Sequence, residues 1–547
     1  MTGPVHPSLA DRASRAGWPA GAVLAALAVV VPIGLLAASV LRPNVEVWRQ
    51  QWSTRLPGEI ATTVALLAGV AVGTLVLGAS LAWLVSAYRF PGSRLFGWLL
   101  VLPLAMPGYV LGFVTLSVVG FTGPIQHWWR DRFGADAWFP DVTSLGGAIV
   151  VFTLVLYPYV FLLARAALSD QAGGAYAVAR TLGAGPTEAA RRVVLPLLRP
   201  ALAAGVAVVM METLTDFATV QYFGVDTVTV GVFRIWRGTF DRDAASEIAT
   251  LVLVFALAVI GLERLLRGRA RYAQGLGSGG AVPPERLRGW RAAAATGACS
   301  AVLALAFGAP AAQLAVWAVR EASGPRGTPL SARFFEFLQH SALLAVLAAA
   351  ICATLAVFLT NAARFESSWV TRAANRATAA GYAVPGPVVA IGVLLALVAV
   401  DRVLSLPGLA VTGSVLGLVY AYSLRFLAPA LSAVESGLAQ VPDEVTASAR
   451  SLGARPGRIA ARIHLPLTRS SVISAAVLVA VDALKELPIV LLLRPFGFDT
   501  LSVWTYNLAS ESRFQQAALP ALAIVVVALV PVIVLTRGLT RNPSEPR

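Results

Sequence analysis

The sequence is poor in the residues from which soluble enzymes and metal sites are built. Only 13% of its 547 residues are charged, and it contains two cysteines, four histidines and a single lysine. That lysine, Lys485, is followed by Glu486, which excludes a GxxxxGK[ST] loop for nucleotide phosphates. Two cysteines provide no disulfide framework, and four scattered histidines lack the spacing of metal ligands. We therefore expect a chain that is not an enzyme, with no metal and no cofactor of its own.

Apolar residues are abundant instead, at 57% of the chain. A bilayer core about 30 Å thick needs roughly 20 apolar residues per helical crossing. The sequence therefore predicts an all-α membrane protein of about twelve transmembrane helices. The apolar runs lie at Ala20–Leu41, Ile60–Ala87, Leu95–Val119, Leu145–Leu163, Ala201–Tyr222, Ile248–Leu262, Ala292–Val319, Ser341–Leu359, Ala379–Val400, Leu409–Leu424, Ser471–Leu493 and Ala517–Leu535.

The net charge of +15 comes from arginines in short loops between the apolar runs, not from a separate basic domain that would bind nucleic acid. Arginines concentrate in the loops on the N-terminal side of the membrane, and acidic residues occur mainly in the loops on the other side. The positive-inside rule then predicts a multi-pass protein of the bacterial inner membrane with both termini in the cytoplasm. The first apolar run is predicted to be an uncleaved first helix.

One segment of the chain occurs twice. Residues Tyr176–Arg199, the first repeated loop, match Thr446–Arg469, the second repeated loop, at an offset of about 270 residues that pairs Gly183 with Gly453. Each copy falls between the fourth and fifth crossings of a half. Because six crossings are an even number, the two halves form a parallel repeat. The predicted domains are 1–266 and 292–547, each with six helices, joined by a cytoplasmic linker at 267–291.

Each repeated loop has the pattern of a helix–turn–helix. In the first copy a short helix is predicted over Tyr176–Leu182, and Gly183 suits the left-handed turn that follows a helix. Pro186 suits the first position of the next helix, which we expect to end at Pro196. The arginines of the loop favour a docking surface for a cytoplasmic partner. An ordinary connection with arginines at the membrane surface is the alternative.

The pattern Ala-Arg-x-Leu-Gly-Ala followed by Leu-Pro resembles the EAA loop of binding-protein-dependent ABC importer permeases, although Tyr176-Ala177-Val178 stands near the acidic start of that motif. The resemblance implies the type I importer fold, a periplasmic substrate-binding protein and a cytoplasmic ABC ATPase under each half, which would use the ATP and magnesium. It assigns ATPase contact to Ala179, Arg180, Leu182, Gly183, Ala184, Pro186, Leu195 and Pro196, and to Ala449, Arg450, Leu452, Gly453, Ala454, Pro456, Leu465 and Pro466.

The segments after the two repeated loops resemble the iron(III) branch of that family, in which two permease domains are fused. They are Glu212–Phe217 with Tyr222–Thr227, and Leu484–Pro488 with Leu492–Thr500. The resemblance implies transport of iron(III). Thiamine, a polyamine or a sulfate-like anion are alternatives for the same machinery, and an ion-coupled secondary transporter is the alternative from another class.

The fifth apolar runs of the two halves contain five ionisable residues in all, two in the first half and three in the second, and they lie late in each run. They are Glu212, Asp216, Asp482, Lys485 and Glu486. Charged groups in a bilayer are costly and usually face a pathway or a partner. Two interpretations stay open: a structural or gate-packing network, in which residues three or four apart share a helix face, and direct contact with a cationic substrate.

Overall fold

The computed structural model describes residues 9–41, 43, 45–170, 172–239, 242–267, 282–323, 331–366, 368–381, 384–404 and 411–540. Within these residues the chain is helical almost throughout, and two short strands, β1 (Tyr88–Arg89) and β2 (Glu285–Arg286), pair in parallel. Residues 268–281 of the predicted linker lie outside the described part. The division into domains 1–266 and 292–547 stays a prediction.

The helices before the linker are, in chain order, α1 (Leu9–Ser39), α2 (Val45–Thr54), α3 (Leu56–Ala87), α4 (Ser93–Leu99), α5 (Gly108–Val119), α6 (Pro124–Phe133), α7 (Leu145–Asp170), α8 (Ala172–Thr181), α9 (Pro186–Ala189), α10 (Leu195–Thr215), α11 (Ala218–Tyr222), α12 (Val228–Thr239) and α13 (Arg242–Arg267). A 3₁₀ turn at Leu102–Ala105 precedes α5, and a π-helical turn at Ala190–Val194 joins α9 to α10.

The helices after the linker are α14 (Gly289–Leu303), α15 (Ala309–Ser323), α16 (Ala332–Phe365), α17 (Trp369–Ala380), α18 (Gly386–Leu404), α19 (Val415–Ala439), α20 (Asp443–Ser451), α21 (Pro456–Ile459), α22 (Leu465–Leu467), α23 (Arg469–Lys485), α24 (Pro488–Leu493), α25 (Leu501–Ser510) and α26 (Phe514–Thr540). π-helical turns join α14 to α15 and α21 to α22.

Eleven helical segments in the described part are long and apolar enough to cross a membrane. A twelfth crossing results if the pair Pro456–Leu467 and Arg469–Lys485, bent by 79°, counts as one span. The prediction of an all-α protein with about twelve crossings is therefore confirmed.

Four of the predicted apolar runs are interrupted in the structure. The run Leu95–Val119 is split before α5, because Pro107 holds the extended conformation and disfavours helix at the residue before it. In the run Ala379–Val400, α18 begins only at Gly386, directly after Pro385. The two fifth crossings end early, at Thr215 and at Lys485, and a short helix follows each break. Apolar composition continues across all four breaks, so hydropathy did not predict them.

The helices cluster into two compact units that do not follow the order of the chain. One unit combines α16–α24, from the second half, with α1 and the first residues of α13. The other combines α2–α12, from the first half, with the rest of α13 and with α14, α15 and α26. In the former, α1 packs on α17 and α18, and in the latter α15 packs on α26. Each unit thus includes helices that the sequence places in the other half.

Small residues allow close packing within these units. In the unit that contains α3, a Cβ on Gly78 would lie 2.9 Å from the carbonyl oxygen of Tyr157 in α7. A Cβ on Gly205 of α10 would lie 3.0 Å from the Cα of Val160. Helices in lipid associate through close van der Waals contact, not through a hydrophobic driving force. These glycines therefore let the backbones of α3, α7 and α10 approach one another. Cys299 and Cys352 are buried and unbridged.

Candidate functional site

The two repeated loops have the same turn at their central glycines. Gly183 has φ +90° and Gly453 has φ +79°, in the left-handed region that glycine adopts without strain. The amide of Ala184 donates to the carbonyl of Ala179 at 3.1 Å, and the amide of Ala454 donates to that of Ala449 at 3.0 Å. This bond spans the end of a helix in the Schellman motif. The predicted left-handed turn is present in both copies.

The helix after this turn begins at Pro186 in the first copy and at Pro456 in the second, as expected. The prediction that it ends at Pro196 is wrong. The amide of Leu195 donates to the carbonyl of Ala190, five residues earlier, and the chain continues as α10 to Thr215. Proline lacks an N–H and collides with the carbonyl four residues before it, and a wide π turn makes room for its ring. The second copy has the same π turn but then bends at Thr468.

A leucine is exposed just before each glycine. The exposed fraction is 82% for Leu182 and 87% for Leu452. A Cβ built on Gly183 or Gly453 would meet nothing within 4 Å, so both turns stand clear of the rest of the described chain. Two apolar side chains at matched, open turns are the feature of these loops that a protein partner would cover.

The other residues of the second repeated loop hold it on the end of α16. Ala449 is buried with Phe365 and Ile459, and Ala454 packs against the same cluster. The guanidinium of Arg450 lies over the Phe365 ring at 5.4 Å and donates to its carbonyl at 3.3 Å. His464 lies 3.0 Å from the Thr446 hydroxyl and 2.6 Å from Asn361 Oδ1. These contacts tie Arg450 to α16, whereas Leu452 is exposed at the turn.

The first repeated loop is anchored by Tyr176, which is buried and meets Trp83 edge-on at 6.1 Å between ring centroids. Burial raises the pKa of the Tyr176 phenol, and the nearby Glu285 carboxylate raises it further. The guanidinium of Arg180 donates to the carbonyl of Ala184 at 2.9 Å across the glycine turn. Arg180 therefore braces its own turn, whereas Arg450 contacts α16.

In the first half the fifth crossing breaks at Asp216. The carboxylate accepts bonds from the amide of Thr219 at 2.9 Å and from its hydroxyl at 2.6 Å, so it caps α11. A Cβ on Gly108, the first residue of α5, would lie 2.5 Å from Asp216 Oδ2. Asp216 thus caps the helix that follows the break. It also lies against Gly108 at the start of α5, where there is no room for a larger residue.

In the second half Glu486 occupies the corresponding break. Its Oε1 accepts from the amide of Ile489 at 3.2 Å and caps α24, while its Oε2 pairs with Arg425 Nε at 3.3 Å. Both side chains of this ion pair are only 6% exposed. Arg425 also donates to the carbonyl of Val384, just before α18, at 3.1 Å. Each break is therefore tied to the region where the third crossing of its half begins, but only the second uses a buried salt bridge.

The remaining predicted ionisable residues differ in their contacts. Lys485 Nζ lies 2.8 Å from Asp482 Oδ1, on the helix face that their spacing predicted. Glu212 lies one turn before Asp216, but the carboxylate bonds of Asp216 go to Thr219. The Asp482–Lys485 and Arg425–Glu486 pairs fit the structural-network interpretation. Contact with a substrate stays a prediction for all five residues.

The segment that follows each break is held by matched hydroxyl groups. The Thr63 hydroxyl accepts from the amide of Val228 at 3.1 Å, and the Ser341 hydroxyl accepts from the amide of Leu501 at 2.9 Å. In both halves a helix, α12 or α25, is thereby fixed to the second crossing of its own half. The repeat accordingly extends in detail beyond the loops in which the sequence made it visible.

A cavity of about 290 Å³ adjoins the break in the first half. Its walls include Phe217, Gln221, Phe233, Arg234 and Tyr506. The rings of Phe217 and Phe233 stack with centroids 3.7 Å apart, and the Tyr506 hydroxyl donates to Gln221 Oε1 at 2.8 Å.

Two carboxylates neutralise the one cationic side chain of this cavity. Arg234 pairs with the buried Glu59 at 2.7 Å and also with Asp226. Asp226 and Arg234 are one acid and one base among the described lining residues, and Arg55 acts on Glu59 together with Arg234. These charges balance, so they favour neither a cation nor an anion.

Sequence reasoning missed Arg425 and Arg234, which neutralise the acids at these sites. Arg425 follows directly on the predicted run Leu409–Leu424, and an arginine at the edge of an apolar run is the signal that could have identified it. Its partner, Glu486, is 61 residues away in the chain. No spacing rule connects residues that far apart.

Comparison with known proteins gives one family match, which occurs twice in the chain. Residues 74–271 and residues 345–542 each match the family described as "binding-protein-dependent transport system inner membrane component". The two matches cover more than half of the sequence and include one repeated loop each. They also agree with the parallel duplication that the repeated loops indicated.

Among curated relatives, an Fe(3+)-transport system permease protein of Haemophilus influenzae is 25% identical over 489 residues, which cover 88% of this chain and 90% of that protein. A sulfate transport system permease protein of Salmonella typhimurium is 30% identical over 234 residues, 41% of this chain and 83% of its own. A putative 2-aminoethylphosphonate transport system permease protein of Salmonella choleraesuis is 26% identical over 250 residues, covering 44% and 87%. The first relative spans both halves, and the other two each match less than half of the chain.

Proposed function

The chain belongs to the family of binding-protein-dependent transport system inner-membrane components, and from this premise we propose that it is the permease subunit of an ATP-driven importer for iron(III). In this proposal a binding protein delivers the ion from the periplasm. Two copies of a cytoplasmic ATPase drive its passage, and both termini of the permease lie in the cytoplasm. The family membership decides against an ion-coupled secondary transporter.

The relative that spans both halves supports iron(III) as the cargo. That relative is an Fe(3+)-transport permease and its match covers 88% of this chain, whereas the sulfate and aminoethylphosphonate relatives match 41% and 44%. Thiamine, polyamines and sulfate-like anions are the competitors that the experiment must include.

The exposed leucines support the repeated loops as the sites where the ATPases dock. Leu182 and Leu452 occupy identical positions in two identical turns, and each exposes more than four-fifths of its side chain. Contact between such apolar side chains and water is unfavourable, and burial in a cleft of a partner protein removes that contact. One turn per half gives one docking site per half, which corresponds to two ATPase subunits.

Alternating access follows from this arrangement. Closure of the ATPases on ATP would move the two repeated loops, and each loop leads directly into a fifth crossing. Each fifth crossing ends in a break capped by Asp216 or Glu486. A helix that ends in a capped break can move as a rigid rod without unwinding, so motion of the loop is passed to the other side of the membrane.

Stimulation of ATP hydrolysis is the test of the cargo. The chain would be reconstituted in proteoliposomes with its ATPase and with a candidate binding protein loaded with iron(III), thiamine, putrescine or sulfate. We expect only the iron(III)-loaded protein to stimulate hydrolysis and to bring its cargo into the liposomes. Stimulation by another loaded protein, with none by iron(III), would replace the proposed cargo but keep the importer class.

Co-purification tests the docking surface separately. The double variant Leu182→Ser/Leu452→Ser should retain at least about tenfold less ATPase. Burial of each leucine side chain in the complex would stabilise it by about 1.5–3 kcal/mol. The variant's own stability should change by no more than about 0.5 kcal/mol, because both residues are exposed. Leu41→Ser is the control, since Leu41 is also 82% exposed but lies at the end of α1. Full retention by the double variant would refute docking at these turns.

A further inference from the structure

A second cavity, of about 420 Å³, lies where α3 ends and where the chain enters α14. The parallel pair of β1 and β2 joins the two segments there, and the amide of Leu287 donates to the carbonyl of Arg89 at 2.9 Å. The hydroxyl of Thr296 donates to the carbonyl of Pro91 at 3.0 Å. The end of the predicted linker is therefore fixed to the loop after the second crossing.

Three arginines line this cavity. They come from both segments: Arg89 from β1, Arg94 from the first turn of α4, and Arg286 from β2. The buried side chains of Phe90 and Ser93 also line it. No acidic side chain lines it within the described residues, and no carboxylate there forms an ion pair with any of the three arginines. Glu285 is adjacent to Arg286 but belongs to the surroundings of Tyr176.

The neighbouring helices indicate how deep in the membrane this cavity lies and on which face of the membrane it opens. The span of α3 ends at Ala87 and the span of α14 begins at Gly289, so the arginines lie at the membrane surface. Trp290, in the first turn of α14, is 76% exposed, as is typical of side chains in the interfacial belt. The third crossing leads away from this surface, and α7 returns to it just before the first repeated loop. The cavity is thus on the face where the ATPase is proposed to dock.

We propose that this cavity binds the phosphate headgroup of an anionic phospholipid. Guanidinium groups bind phosphate oxygens in a bidentate way, and three of them around one space suit a phosphodiester. The cytoplasmic leaflet is rich in anionic lipids, which attract basic residues at the membrane surface. A lipid whose phosphate lies in the cavity would extend its chains beside Leu95, an apolar side chain that is 49% exposed on the cavity wall.

Lipid retention measured by native mass spectrometry tests this site. The purified full chain would be titrated in detergent with phosphatidylglycerol and, separately, with phosphatidylcholine. We expect at least one phosphatidylglycerol to be retained and phosphatidylcholine to be released. The variant Arg89→Gln/Arg94→Gln should weaken phosphatidylglycerol retention roughly 25-fold, from about a fivefold loss per arginine at a membrane surface. Arg89→Lys/Arg94→Lys keeps both charges but removes the bidentate guanidinium groups. Its phosphatidylglycerol retention should lie between that of the unaltered chain and that of Arg89→Gln/Arg94→Gln.

The matched control is Arg372→Gln/Arg376→Gln, which removes two exposed arginines from α17, the counterpart of α4 in the second half. It should retain phosphatidylglycerol as the unaltered chain does, and gel filtration verifies that every variant is folded. Equal retention of both lipids, or equal losses in the test and control variants, would overturn the proposal. Displacement of the lipid by millimolar inorganic phosphate would identify a site for free phosphate instead.

Discussion

Removal of the Glu486 charge should damage the protein far more than removal of the Asp216 charge, although the two residues occupy corresponding breaks. Glu486→Gln leaves Arg425 as an uncompensated charge with only 6% of its side chain exposed, which costs about 3–5 kcal/mol. Asp216→Asn keeps one oxygen that accepts from the Thr219 amide, and its new NH2 group can donate to the Thr219 hydroxyl, so the weaker bonds cost about 1 kcal/mol. The difference in the free energy of unfolding should be about 2–4 kcal/mol.

Unfolding in mixed micelles with increasing dodecyl sulfate measures this difference. The double variant Arg425→Gln/Glu486→Gln should be more stable than the sum of its single variants, with a coupling energy of about 2 kcal/mol or more, since neither charge is then left alone. If the destabilisation of the double variant equals the sum of the two single-variant values within about 0.5 kcal/mol, the buried ion pair is refuted. All of the variants should still insert in the membrane. Normal uptake by Asp216→Asn/Glu486→Gln would show that the breaks have no part in transport.

Three further substitutions probe the glycines and the cavity of the first half. Gly108→Ala should cost about 1–3 kcal/mol from overpacking against a carboxylate, whereas Gly261→Ala, in an open helical position, should be neutral or stabilising in the same assay. Gly453→Asp should abolish ATPase co-purification, because a left-handed aspartate costs about 1–2 kcal/mol and changes the turn, whereas Gly457→Ala should retain the ATPase. Tyr506→Phe removes the bond to Gln221 and should lower the uptake rate without lowering stability by more than about 1.5 kcal/mol.

The sequence predicted the features that depend on neighbouring residues. Gly183 and Gly453 adopt the left-handed turn because a helix end followed by glycine and then proline is a local signal. The count of about twelve crossings depended only on the length of apolar runs. The π turns of the two repeated loops lie at Ala190–Val194 and Ala460–His464. They are separated by the same number of residues as the two glycines, so the register of the repeat holds through the π turns.

Features that depend on distant residues could not be predicted. The breaks at Asp216 and Glu486 are concealed because apolar residues continue on both sides of each acid. The neutralisation of Glu486 requires Arg425, which the fold alone brings within 3.3 Å. Pro196 was expected to end a helix, but a π turn absorbs its ring, and single-residue propensity does not anticipate that rearrangement.

The packing of α1 sets an order of events during synthesis. This helix leaves the ribosome long before two of its packing partners, α17 and α18, because they begin roughly 330 residues after it ends. At a synthesis rate of about 5–20 residues per second, α1 waits in the bilayer for about 15 to 70 seconds before its neighbours exist. During that interval the face of α1 that packs on α17 and α18 is covered by lipid or by an insertion factor. A single continuous chain keeps α1 tethered to the neighbours for which it waits.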